Sequence, residues 1–180
     1  MKNRRFYIFR VLSFAVAIFT ALLFCSCGET SYASPGRVLL EMTKNAGRLP
    51  FGVVYSTESS PGSPDFLSES VLQSVFGEGE CPEVMKRLKG AAIRLSSGFS
   101  ASEFAFFICH SKNDAYEVAD LCLKRIDRIL YFARSTGGRY LGEADISEIE
   151  GAYVEIVGNC VFMAVCSDGR GAVERGKSVI

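Results

Sequence analysis

The sequence predicts an α+β fold: a four-stranded antiparallel sheet of order ββαββα, a permuted ferredoxin-like arrangement, with helices mainly on one face and one or two further helices N-terminal to it. Three observations carry this. Two pairs of short β-rich runs each read as a hairpin, at 91–95 with 102–109 and at 152–157 with 160–166. A helical pattern follows each pair. Shifting the chain by 57 places also sets Cys109 on Cys166, Ala115 on Ala172 and Glu117 on Glu174, so the order of elements repeats with a few identities.

Taken in order, Val38, Leu39, Met42 and Ala46 fall at helical spacing, so 36–46 reads as a short amphipathic helix closed by Gly47 and Pro50. Phe51–Tyr55 reads as an extended piece, and Ser56–Pro64 as a Ser/Pro/Gly loop. Asp65 is placed to cap a helix carrying Phe66, Leu67, Leu72, Val75 and Phe76, stopped by Gly77 and Gly79. After the first hairpin, Asn113 or Asp114 caps a long helix with the stripe Ala115, Val118, Ala119, Cys122, Ile126, Ile129, Leu130 and Ala133, ended by Gly137-Gly138. Its polar face, including the Asp120–Lys124 pair at i,i+4, reads as a solvated surface. Gly158-Asn159 is a two-residue hairpin turn, and Gly171–Ile180 a final helix that Gly176 weakens.

The chain has 180 residues with 20 Lys plus Arg against 20 Asp plus Glu. That zero averages two unlike pieces. Lys2, Arg4, Arg5 and Arg10 precede the uncharged run Val11–Phe24, and no acid occurs before Glu29. The pattern is that of an export signal, too short for an ordinary bilayer span. Removing the four leader bases leaves 16 against 20 acids, so the remainder carries net −4 and no basic excess suited to nucleic acid.

Leu23-Phe24-Cys25-Ser26-Cys27-Gly28 resembles a bacterial lipoprotein processing site, with small Ser26 before Cys27, which would take the lipid anchor, palmitate among its acyl chains. Phe24 stands where the pattern prefers Leu. Cleavage after Ala33, following the small residues Ser31 and Ala33, and retention as an uncleaved membrane anchor are the alternatives. The organisation expected is a signal peptide at 1–27, a polar tether at 28–35 and one α+β domain at 36–180. The exported product belongs at the outer face of the cell membrane, or is secreted.

From Asp65-Phe-Leu, through Phe76-Gly77, Glu103-Phe-Ala-Phe-Phe107 and Asp114-Ala115, to Glu150-Gly-Ala-Tyr-Val154 and Gly158-Asn159, the chain resembles an uncharacterised family of clostridial-type Gram-positive lipoproteins, the domain of unknown function numbered 4358. The resemblance covers about residues 36–175. It implies an envelope location and a domain extent, and brings no activity and no catalytic residues.

No phosphate-binding loop, hydrolase elbow or dinucleotide fingerprint occurs, and no cofactor is expected. The lone histidine, His110, excludes a multi-histidine metal cage. Cys109 adjoins His110, but neighbours on a strand point to opposite faces, which opposes a direct thiolate–imidazole pair. Cys81, Cys109, Cys122, Cys160 and Cys166 are dispersed without a Cys-x-x-Cys; as buried thiols they act as small hydrophobes, and one disulfide is the alternative. Ser167–Gly171 reads as a turn and helix cap, with an anion cradle as the rival. Glu143, Asp145, Glu148 and Glu150 form an acidic patch at 143–150, expected to be solvated and lacking calcium-loop spacing.

The leading expectation is a non-enzymatic, membrane-anchored binding or accessory domain meeting an envelope protein or peptide. Its contact surface would be the sheet face opposite the helices, or the aromatic positions Phe51, Tyr55, Phe99 and Tyr153. The alternative is an envelope hydrolase or thiol-dependent enzyme using Cys109 and His110 or the acidic patch.

Overall fold

In a computed structural model, residues 33–46, 49, 51–96, 100–136 and 142–180 are described. The expectations for the export segment, for Cys27 and for Phe99 lie outside these residues. Residues Ala33–Ile180 form one unit of contacts.

The helices are α1 (Pro35–Thr43), α2 (Glu69–Phe76), α3 (Glu83–Lys86), α4 (Lys112–Ser135), α5 (Glu143–Glu150) and α6 (Gly169–Lys177). The strands are β1 (Gly52–Ser56), β2 (Gly90–Ser96), β3 (Glu103–Ile108), β4 (Tyr153–Val157) and β5 (Cys160–Val165). All five join one sheet of order β1-β2-β3-β5-β4, with every neighbouring pair antiparallel. The α+β class therefore stands, but the sheet has five strands where four were expected. The extended piece at Phe51–Tyr55 is the extra one: Val54 lies opposite Arg94 at the edge of the first hairpin.

Local chemistry explains the helix starts. The Ser34 hydroxyl accepts from the Arg37 N–H, and Pro35 fills the first turn, where its missing donor costs nothing. Ser68, not Asp65, caps α2 by accepting from the Val71 N–H. Asp65 instead sits in a turn, its carboxylate accepting from the Ser59 hydroxyl. The cap of α4 is Ser111, with Asp114 as the reciprocal member of a capping box: each accepts the other's backbone N–H at 3.1 Å. The expected cap at Asn113 or Asp114 thus falls within the first turn.

The largest departure concerns the helices, expected mainly on one face and found on both. Along β2, β3 and β5, Ala91, Ile93, Ala105, Phe107, Val161 and Met163 pack with α2, α3 and α4. Alternate residues point the opposite way, and there Phe104, Phe106 and Phe162 are fully buried, as are Val38 and Met42 of α1 and Ala172 and Val173 of α6. Gly176 explains how closely this second layer sits: a Cβ there would lie 2.6 Å from Met42 Cγ and 3.2 Å from Phe162 Cε1. The glycine that weakens the helix locally lets α1, α6 and the sheet approach. Every residue of β3 and β5 is buried, as a strand covered on both faces requires.

The second hairpin turns on Gly158, whose φ of +63° is open to glycine at little cost. Asn159 also donates through Nδ2 to the Cys109 carbonyl, while the Cys109 N–H donates to the Asn159 carbonyl. This ties the end of β3 to the β4–β5 turn.

Candidate functional site

Cys109 and His110 do not form a reactive pair. Cys109 is 1% exposed and lies in the core against α4, whereas His110 is exposed. Burial, helped by the Asp114 and Cys160 charges, pushes the Cys109 thiol up to about 12. Cys160 is raised to about 11 by burial, and Cys122, wholly enclosed, is raised further. The five described cysteines are all free and buried. They therefore pack as small hydrophobes, because the thiolate is the nucleophilic form. Among the described residues no group of three or more His, Cys, Asp or Glu side chains can hold a metal ion.

These thiols make the domain sensitive to alkali. An unfolded thiol ionises near its ordinary value of 9, while native Cys109 and Cys160 stay protonated to about 12 and about 11. Above pH 9 the unfolded chain holds fewer protons than the native one, so stability falls as pH rises. Urea titrations at pH 7.5 and pH 10.5 are expected to give a lower midpoint at the higher pH. Cys109→Ala/Cys160→Ala is expected to flatten that dependence, and an unchanged slope in this variant would refute the assignment.

The acidic patch at 143–150 is divided among structural partners. The Asp145 carboxylate accepts from the Gly142 and Ala101 backbone N–H groups. Glu148 accepts from the hydroxyl of fully buried Ser102 at 2.6 Å, and Glu150 pairs with Arg134 at 3.2 Å. Three of its four carboxylates thus pin α5 to the start of β3 and to α4. Similarly, Asp168 caps α6 by accepting from the Gly171 N–H, filling the helix start with the chain's own carboxylate.

The expected contact surfaces fare differently. The face opposite α4 is not free, because α1 and α6 cover it. Tyr153 is partly buried beneath Arg170, 5.1 Å from its ring centroid. Tyr55 is partly buried, but Phe51 is 93% exposed beside Val53 and Val54 at 44% and 45%. These exposed apolar side chains mark the outer edge of β1, Val53 and Val54 on opposite sides of the sheet.

Two features have no local sequence signature. The Glu103 carboxylate, its side chain 8% exposed, takes two hydrogen bonds from Arg125 of α4. Arg128 donates to the Val75 and Gly77 carbonyls and so closes the C-terminus of α2. A shallow groove of about 420 Å³ lined by Asp127, Leu130, Tyr131, Arg134 and Ser135 runs along the solvent side of α4. No described helix is long and apolar enough to cross a membrane.

Comparison with known protein families, curated proteins and solved structures finds no match for the chain.

Proposed function

We propose that this chain is an exported lipoprotein, held at the outer face of the cell membrane through acylated Cys27, whose folded part serves as a binding or accessory module and not as an enzyme. The observation that carries the reading is the leader: four bases, a 14-residue uncharged run, then Ser26-Cys27-Gly28 a few residues before the cap of α1 at Ser34. Two or more acyl chains, at about 0.8 kcal/mol per buried methylene, would make the attachment effectively permanent. The short spacer keeps the module at the envelope surface, in line with the lipoprotein-family resemblance. The strand order of β2 to β5 supports kinship with a permuted ferredoxin-like sheet, with α6 on the face opposite α4 as a departure from it. A thiol-dependent enzyme finds no support in the enclosed, protonated Cys109.

Intact mass spectrometry of the mature N-terminus tests the anchor. A chain beginning at Cys27 and carrying the mass of two or three acyl groups is expected. Cys27→Ser should move the protein from the membrane to the soluble fraction. A mature chain beginning at Ser34 without lipid would refute the proposal.

A further inference from the structure

We propose that the outer edge of β1 is the binding site of this module, and that it takes an extended peptide of a partner protein as a sixth, antiparallel strand. The inference rests on the binding-module reading and gives it a site and a ligand chemistry.

The backbone decides what the edge can hold. The Ser56 N–H donates to the Asp65 carbonyl and the Ser56 carbonyl accepts from the Leu67 N–H, so both Ser56 groups point away from β2. Strand geometry repeats every two residues, which turns the N–H and C=O of Val54 and Gly52 outward as well. Among the described residues, none bonds to them. Residues Asp65–Leu67 already pair with one end of this edge, in parallel at Ser56 and Phe66, and leave the 52–54 end open. Val53 and Val54 project to opposite sides of the sheet and are each nearly half exposed, with Phe51 almost fully so. Proteins usually blunt a free edge with a lysine, a proline or a bulge. The run Phe51–Ser56 has no charge of its own and β1 holds none of these devices; the charges beside it are the Arg94 guanidinium of β2, which lies over Gly52, and the Asp65 carboxylate. At the other edge, β4 carries Glu155, paired with Lys177 of α6.

The occupant follows from what blocks the edge. A second copy pairing β1 with β1 about Val53 would bring its Phe51 opposite Tyr55, beside which Asp65 already stands, so the two would compete for one place on the edge. A separate peptide has no such limit. It can begin beside Val54, exchange four main-chain bonds with Val54 and Gly52, and run out past Phe51. An antiparallel strand sets its N-terminal end toward the exposed Asp65 carboxylate, whereas a parallel one would bring its carboxyl end there. Side chains opposite Val53 are best β-branched or aromatic, since such cross-strand pairs stabilise most.

The test selects binders from a display library of random eight-residue peptides with free N-termini, using the full chain in detergent micelles. Val54→Pro removes an outward N–H and no bond to β2, so its melting temperature should stay close to that of the wild type. Peptides with apolar residues at alternate positions are expected. They should bind at least tenfold more weakly to Val54→Pro, and equally more weakly to the wild type when N-methylated at alternate amides. The proposal is overturned by a library without binders, by binders indifferent to both changes, or by a concentration-dependent dimer that Val54→Pro abolishes. Unchanged peptide binding by Cys27→Ser would separate this result from that of the lipid anchor.

Discussion

Phe106→Ala is expected to destabilise the domain by about 3–5 kcal/mol, and Phe107→Ala by a similar amount, although the two rings lie on opposite faces of the same strand. Both are fully buried. Phe107 meets Phe76 of α2 edge-on, with ring centroids 5.6 Å apart. Phe106 packs on Phe162 at 4.8 Å, on the side covered by α1 and α6. Truncation removes the transfer free energy of each ring and leaves a cavity that neighbouring strands cannot close. Set against the ordinary 5–15 kcal/mol stability of a domain, either loss is a large fraction. Urea unfolding of the two variants, with midpoints compared at constant m, gives the measurement. A sheet bare on the side of Phe106 would show a small effect there, and that result would contradict the two-sided core.

Arg125→Ala is the second large effect, at about 3 kcal/mol, the lower end of the cost of stripping one partner from a buried ion pair. The lower end applies because the Arg125 side chain keeps 25% exposure and Glu103 only 8%. The loss comes from the carboxylate left behind in the interface between β3 and α4, so removing it too should restore much of the stability. Arg125→Met/Glu103→Leu is therefore expected to unfold at a higher urea concentration than Arg125→Ala. A double variant less stable than both single ones would show that the pair supplies net stability of its own. Arg125→Lys should fall between, since an ammonium cannot match the two-point hold of the guanidinium.

How much of this was legible in the sequence depends on the range of each interaction. The second hairpin was, because Gly158-Asn159 specifies its own turn between two β-rich runs. So were α4 and its buried stripe Ala115, Val118, Ala119 and Cys122, since helical periodicity is read within one segment. The helix starts shifted by a few residues, as at Ser68 and Ser111, because several nearby residues are competent caps and packing selects among them. The two-sided core does leave a trace in the sequence. Phe104-Ala-Phe-Phe-Ile108 has no polar residue at alternate positions, which is the pattern of a strand buried on both faces. Glu103 and Arg125 left no trace, being 22 residues apart with nothing local to join them.

The sequence by itself determined the kind of folded chain: after a basic and then apolar N-terminal stretch comes a mildly acidic α+β domain, with its hairpins and its main helix. These follow from composition, turn chemistry and periodicity, each a property of neighbouring residues. Tertiary structure alone decided that β1 joins the sheet, that α1 and α6 close the face expected to be open, and that the acidic patch becomes a set of struts. It also left Gly52 and Val54 with main-chain groups pointing outward at the edge of the sheet. Such outcomes depend on which distant segments meet, and one helix layer or one strand of register changes which groups face water.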